Sequence, residues 1–278
     1  MSKVSGTISA DIVCANGSTQ LRRHAQTYPL KIAKTFPFPG NQLGIYVMDA
    51  SPGIMAGDCY ELEWRIGETA DVLITNQSYT KVHPPRDGEN AVSEQRQRLH
   101  LGKDAYVEYM PEPLMLYRDA TLFSDTAVEM ERGSTLMLSE LTCPGRTHRG
   151  ERFHYEKLRS RFTVAYDGEM IYQAKQQIVP KEGRVGVIPR WHSFTHLGMF
   201  YLFSERADAA VVEELRQHLS EFAAKFPELY VGVSLTYRYG LAVSVLGRRV
   251  FELQQLLHAA WLFVRQRLFD RQAFVIPK

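Results

Sequence analysis

Residues 51–83 read SPGIMAGDCYELEWRIGETADVLITNQSYTKVH, and the pattern in this stretch decides the fold. Two runs rich in β-forming residues stand on either side of a Gly-Glu-Thr turn. In residues 60–66 apolar side chains alternate with charged ones, which is the period of a half-buried strand. Gly53 and Gly57 precede this run, where glycine suits a positive φ angle or a close backbone approach. The stretch predicts a strand pair that begins at a glycine corner beside Asp58.

Similar short strands, separated by turn residues, recur over residues 1–204. This spacing favours an all-β sandwich, barrel or solenoid over alternating strand–helix units. Apolar residues at helical spacing predict two helices, at about 208–225 and 249–269, with strands at about 229–247 between them. We therefore expect a mainly β, strand-rich single domain over residues 1–278, built of stacked sheets or a β-helix-like stack, with two helices near its C-terminus.

Length, charge and cysteine content exclude several classes of protein. A chain of 278 residues with 45% hydrophobic residues can bury a large core. Its net charge of +2 is too small to indicate nucleic-acid binding. Cys14, Cys59 and Cys143 show no C-x-x-C spacing, so no disulfide framework or zinc ribbon is indicated. With neither a secretion signal nor an apolar run of about 20 residues, a cytoplasmic protein is expected.

Two motifs in this opening stretch resemble the urease accessory protein family called UreD or UreH. P-G-I-M-A-G-D at 52–58 is similar to the family's G-G-I-x-G-G-D, and I-T-N-Q-S-Y-T-K at 74–81 is similar to its T-x-Q-x-x-T-K. Pro52 and Ala56 stand where the family pattern has glycine. Because proline fixes φ and alanine resists positive φ, we expect a slightly different corner here.

Further motifs follow in the family's order, from about residue 28 to 265. They are P-L-K at 29–31, M-P-E-P at 110–113, G-R-T-H-R-G-E at 145–151 and W-L-F-V-R at 261–265. The sequence departs from the pattern at Ala174, where some relatives carry an acid, and at Ser244, where the family has arginine. The final residues also differ from the family's P-R-x-W.

The resemblance implies a function without catalysis by this chain. UreD-type proteins act as a scaffold and metallochaperone component that binds the urease apoprotein and recruits UreF, which brings the nickel-carrying GTPase UreG. The resemblance therefore implies no enzyme activity, no tightly bound cofactor, nickel only in transit, and neither nucleic acid nor membrane as a partner. It leaves open which surfaces contact urease and UreF.

It also implies an internal polar passage that leads nickel towards apo-urease. Carboxylates that stand apart suit such a passage, because oxygen ligands hold a borderline cation weakly enough to release it. The candidate nickel-guiding residues are Asp58 and Glu140, and the candidates for the passage wall or for a structural polar network are Thr80, Lys81, Arg146 and Glu151. The alternative for the same residues is a set of core ion pairs, in which Lys81 and Arg146 neutralise the buried acids.

A zinc-dependent hydrolase is the alternative function. Cys143, His148 and Glu151 are zinc-ligand types in one short segment. Arg146 and Arg149 argue against such a site, because fixed positive charges beside a divalent ion are unfavourable. We expect these arginines to pair with Glu140 and Glu151.

Two weaker interpretations complete the set. A nucleic-acid-binding β-protein would use Arg146, Arg149 and Arg152 with nearby aromatic residues, but the small net charge disfavours it. His192 and His196 stand four residues apart, yet the glutamate of H-E-x-x-H and a third ligand are missing. We interpret the two histidines as polar loop residues.

Overall fold

The structure of the chain, a computed structural model, describes residues 3–86, 91–182 and 194–277. Within these ranges the chain forms 17 strands and two α-helices. The strands are β1 Ser5–Ala15, β2 Ser18–Gln26, β3 Leu30–Phe38, β4 Gln42–Asp49, β5 Cys59–Ile66, β6 Asp71–Asn76, β7 Thr80–Val82, β8 Ser93–Leu101, β9 Tyr106–Tyr109, β10 Leu114–Leu116, β11 Thr121–Met130, β12 Thr135–Cys143, β13 Lys157–Tyr166, β14 Glu169–Ile178, β15 His196–Phe203, β16 Tyr230–Leu235 and β17 Gly240–Gly247. The helices are α1 Ala209–Ala223 and α2 Val250–Phe269.

The strands form two stacked sheets. The outer sheet has seven strands in the order β14-β13-β11-β8-β5-β1-β2. The central sheet has ten, with β16-β17-β15-β12-β9-β6-β4-β3 as its main path and β10 and β7 following β12 to one side. The middle strands of both sheets are parallel, because the chain passes alternately from one sheet to the other. The result is a β-helix-like coil that ends in antiparallel strands, and the predicted strand-rich fold with two helices is confirmed.

Three four-residue turns carry the chain from the outer to the central sheet, at residues 67–70, 102–105 and 131–134. The third residue of each turn has a positive φ, 56° at Thr69, 55° at Asp104 and 75° at Gly133. A Cβ at Gly133 would lie 2.0 Å from Oδ1 of Asp104, so glycine lets consecutive turns stack closely. The segments between these turns differ in length, which explains why the sequence shows no repeat of fixed period.

Apolar side chains fill two layers, one on each face of the central sheet. The first layer lies between the sheets and contains Trp64, which is fully buried. The second lies between the central sheet and the helices and contains Leu215 of α1 and Trp261 of α2. On β9, Val107 belongs to the first layer and its neighbour Tyr106 to the second, as the alternation of a strand requires.

The ends of the helices are well defined. The carboxylate of Asp208 caps α1 by accepting the N–H of Val211 at 2.9 Å. Helix α2 ends at Asp270, which has a left-handed φ of 48°, and the tail that follows folds back so that the ring of Phe274 packs on Trp261. No helix in the described ranges is long and apolar enough to cross a membrane.

Candidate functional site

The glycine corner lies between β4 and β5 and has the backbone that the sequence predicts. Gly53 has φ of 140° and Gly57 has φ of 86°. A Cβ on Gly53 would approach the carbonyl oxygen of Lys81 to 2.4 Å, which no other residue type could tolerate. Ala56 does not adopt a positive φ, so its replacement of the family's glycine does not strain the backbone.

Asp58 fastens this corner to the N-terminal strand. Its side chain is 4% exposed. One carboxylate oxygen accepts the N–H of Val4 at 2.9 Å and the other accepts the N–H of Met55 at 3.1 Å. Backbone N–H donors, and not Lys81, therefore satisfy this buried carboxylate. Asp58 does not line the internal cavities described next.

Two adjoining cavities, of about 70 and 100 Å³, lie between the sheets, and we call them together the chamber. Four polar residues line both cavities and therefore lie between them: Asn76, Thr80, Gln95 and Tyr109. The smaller cavity reaches Asp49, Ser51 and Lys81 at the glycine corner. The larger one reaches Glu140 and the small hydroxyl side chains of Ser124 and Ser160. Strands of both sheets thus build a polar space inside an otherwise apolar layer.

Glu140, on β12, is one of two carboxylates in the wall of the larger cavity, the other being that of Glu112. Burial raises the pKa of Glu140 to about 7, so that protonated and ionised forms coexist near neutral pH. Tyr109 and Tyr201 lie close enough for the charge of Glu140 to raise their pKa values, in addition to the larger effect of burial. Among the described residues no basic side chain forms an ion pair with Glu140. The expected pairing of this acid with an arginine is therefore not formed.

Thr80 and Lys81 lie on β7, between the corner and the chamber. The Thr80 hydroxyl accepts a hydrogen bond from Nδ2 of Asn76 at 3.3 Å. The carbonyl of Lys81 accepts the N–H of Ile54 at 2.8 Å, and its side chain lines the smaller cavity. The structure thus brings Thr80, Lys81 and Glu140 to one chamber.

Arg146 and Glu151 form a separate ion pair outside the chamber. Nε of Arg146 donates to Oε2 of Glu151 at 2.8 Å, and a second bond joins Nη2 to Oε1. Hydrogen bonding to Arg146 lowers the pKa of Glu151, which is 6% exposed. The guanidinium also lies 4.2 Å from the centre of the Tyr117 ring. This geometry matches the structural-network interpretation of the two residues.

The proposed zinc ligands do not meet. Cys143 is buried, which raises the pKa of its thiol to about 12, whereas His148 is exposed and Glu151 is bound to Arg146. In the parts of the chain that the structure describes, no three His, Cys, Asp or Glu side chains could together hold a metal ion. His196 is buried on β15 and not in a loop, and burial lowers its pKa to about 4. His192 lies outside the described residues.

A buried polar network that sequence reasoning missed lies on the opposite face of the central sheet. Nη1 of Arg265 donates to Oε1 of Glu108 at 2.7 Å, and the Tyr106 hydroxyl donates to the same oxygen at 2.8 Å. Arg265 is 1% exposed and Glu108 is 0% exposed. Arg271 in the C-terminal tail donates to Asp71 at 2.6 Å nearby. The available signal was a single acid inside the apolar run of β9.

A groove of about 540 Å³ follows α2 on the surface. It shares three residues with the wall of the larger cavity of the chamber, namely Pro111, Glu112 and Leu141. Phe251 and His258 of α2 form its other side. Only this one layer of residues separates the chamber from the groove.

Comparisons with known proteins agree on one family. A family model described as UreD urease accessory protein matches residues 4–277. The chain is 31% identical over 244 residues to a protein named urease accessory protein UreD from Acetivibrio thermocellus, which covers 87% of this chain and 90% of the relative. It is 26% identical to proteins of the same name from Actinobacillus pleuropneumoniae serotype 5b, over 245 residues, and Haemophilus influenzae strain PittGG, over 250 residues. These matches cover 87% of this chain, and 90% and 92% of the two relatives.

Proposed function

This chain belongs to the UreD family of urease accessory proteins, and from that membership we propose that it serves urease maturation as a scaffold without catalytic activity of its own. It binds the urease apoprotein and recruits UreF, and through UreF the GTPase UreG. Nickel is the cargo of this assembly and passes through the chamber. GTP hydrolysis belongs to UreG, in keeping with the lack of a P-loop motif in this sequence.

The proposal of a nickel passage rests on one observation, the position of Glu140 in the chamber. The larger cavity offers amide, hydroxyl and carboxylate oxygens from residues such as Gln97, Thr126 and Glu140. Such a donor set suits a divalent cation of borderline character but binds it weakly, because it contains neither thiolate nor imidazole. Weak binding is what a passage needs, since an ion held tightly would not move on.

The chamber has two candidate openings through which nickel would enter or leave, one on each side. One lies at the glycine corner, where Ser51 and Lys81 line the smaller cavity. The other lies behind Pro111 and Glu112, where the wall to the surface groove is a single layer of residues. A small movement of that segment would join the chamber to the outside on the second side. We assign Asp58 no part in this route, because it lines neither cavity of the chamber.

The proposal is tested by measuring how well variants of this protein activate urease when the carboxylate of Glu140 is replaced. Glu140→Gln keeps the shape of the side chain and removes its charge, and Glu221→Gln makes the same change at an exposed position on α1. Each variant is co-expressed with apo-urease, UreF and UreG, and the co-purifying proteins, the nickel content and the urease activity are measured. We expect Glu140→Gln to assemble normally and to lower activation about tenfold, the scale of effects at metal-binding sites. Normal activation by Glu140→Gln would contradict the passage, and lost assembly with normal folding would mean that Glu140 acts in partner binding and not in guiding nickel.

A further inference from the structure

The first two edge strands form a corner that carries charge of one sign. We call residues 18–38, which contain β2 and β3, the basic corner. No aspartate or glutamate occurs between residues 12 and 48. The corner holds four basic residues, all of them exposed: Arg22, Arg23, Lys31 and Lys34.

The two acids that flank this run already have other partners. Asp11 lies opposite Arg23 in the pairing of β1 with β2, but its carboxylate accepts Nε of Arg65 at 2.7 Å. Asp49 accepts the hydroxyl of Tyr60 at 3.0 Å. Among the described residues no carboxylate forms an ion pair with any of the four basic side chains of the corner. None of these four charges is therefore neutralised by a direct ion pair within the described part of the chain, although Arg22 and Arg23 line a groove that also contains acids such as Glu68.

Elsewhere on the outer sheet, some basic residues do pair with acids on the neighbouring strand. Arg96 pairs with Glu61 on the neighbouring strand, and Arg161 pairs with Asp125 in the same way. Charges on edge strands protect a protein against unwanted strand pairing, and β2 and β3 are edge strands. Protection of this kind works with either sign of charge, so it does not account for four basic residues without an acid.

Hydrogen bonds order the turn of the corner. The chain crosses from β2 to β3 through residues 27–29, where the N–H of Thr27 donates to the carbonyl of Thr7 at 2.9 Å. The side chain of Gln26 accepts the N–H of Ile32 at 2.8 Å. Tyr28, at the tip, is 66% exposed. A surface that is already ordered loses little conformational entropy on binding, and an exposed tyrosine supplies apolar contact area.

We propose that the basic corner docks an acidic, extended segment of a partner protein along the free outer edge of β2. Within the described residues no strand pairs with that edge, so its backbone groups are open to strand addition. Carboxylates of the segment would lie beside Arg22 and Arg23. Nucleic-acid binding depends on many basic side chains that neutralise phosphates. This chain has a net charge of only +2, and the corner supplies four basic residues. We therefore favour a protein as the partner. This inference is independent of the nickel passage.

The test uses charge reversal with a matched control. Arg22→Glu/Arg23→Glu reverses two charges of the corner but keeps its edge charged, so protection against aggregation is retained. Arg98→Glu/Lys175→Glu makes the same change in net charge at exposed positions elsewhere on the outer sheet. The probe is a fluorescent peptide of alternating glutamate and valine, about ten residues long, which is the upper end of the usual length of a strand. Fluorescence anisotropy measures its affinity for the folded full chain in low salt and at about 0.15 M salt.

We expect the corner variant to bind the peptide about tenfold more weakly than the unchanged chain, and the control variant to bind it as the unchanged chain does. Added salt should weaken binding by the unchanged chain and should have less effect on the corner variant. Equal loss in both variants would mean that only net charge matters, and no binding of the peptide by the unchanged chain would exclude the site. Tighter binding of a single-stranded RNA or of phosphatidylserine vesicles, lost in the corner variant, would overturn the proposal in favour of those ligands.

Discussion

Glu140 links the chamber to the stability of the protein. Its pKa rises from an ordinary value of 4.5 to about 7 in the folded chain, because burial disfavours the charged form. The folded state therefore binds the proton more tightly than the unfolded state, and stability falls as pH rises from about 4.5 to 7. Glu140→Gln should remove that fall and make the chain roughly 1 to 3 kcal/mol more stable than the unchanged protein at pH 8. Urea denaturation across this pH range measures the effect.

Subtraction of the two stability curves isolates Glu140. His196 acts in the opposite direction, because its lowered pKa, about 4, makes stability fall as pH decreases below 6.5. This contribution is the same in both proteins and cancels in the difference. A difference that stays constant between pH 4.5 and 8 would show that Glu140 is well solvated in the chamber and keeps an ordinary pKa.

The buried pair of Arg265 and Glu108 makes a second prediction at the scale of single residues. Arg265→Leu leaves the Glu108 carboxylate without its main partner in an apolar layer. We expect a loss of about 3 to 5 kcal/mol in the free energy of unfolding, measured by urea denaturation at pH 7. Glu108→Leu/Arg265→Leu removes both charges and should recover most of that loss. A double variant as unstable as the single one would mean that Arg265 contributes by packing and not by charge.

At the scale of elements, we expect helix α2 to stabilise the fold through the buried side of its surface. Trp261 is 1% exposed, and its ring packs against Phe274 of the tail, whereas Phe251 of the same helix is 63% exposed. Trp261→Ala should therefore lower the free energy of unfolding by about 3 to 5 kcal/mol, since it opens a cavity in the layer between the helices and the central sheet. Phe251→Ala is the control and should change it by less than about 0.5 kcal/mol. Equal effects of the two substitutions would mean that the helix packs differently from the arrangement described here.

Elements were predictable where the pattern that defines them is local. The alternation in residues 60–66 gives β5, and the helical spacing of apolar residues gives α1 and α2. The ion pair of Arg265 was missed for the opposite reason, because the acid that pairs with it lies 157 residues earlier in the sequence. Asp58 was correctly placed at the corner, yet only the structure shows that backbone groups of Val4 and Met55 satisfy it.

At the scale of the whole molecule, the chamber exists because strands distant in sequence stack face to face. Its walls come from strands between β3 and β14, and most of these strands contribute one or two polar residues that would look like ordinary surface positions when read alone. Sequence resemblance pointed to Glu140 and Thr80, but it could not find Gln97 or Ser160, which carry no motif. The stacking of the coil is what turns these separate polar positions into one space.

Ser160 offers a direct test of whether that space is used. It lies on β13 and lines the larger cavity, whose volume of about 100 Å³ a leucine side chain would largely fill. Thr163→Leu, on the opposite face of the same strand, is the control because its side chain points away from the chamber. Filling a cavity costs little stability when the new side chain fits, with overpacking limited to about 1 to 3 kcal/mol, and a thermal melt checks that both variants remain folded.

We expect Ser160→Leu to co-purify with its partners as the unchanged chain does and to activate urease poorly, whereas Thr163→Leu should activate it normally. Full activation by Ser160→Leu would mean that nickel reaches urease without passing through the chamber, and the role of the chain would then be that of a scaffold alone.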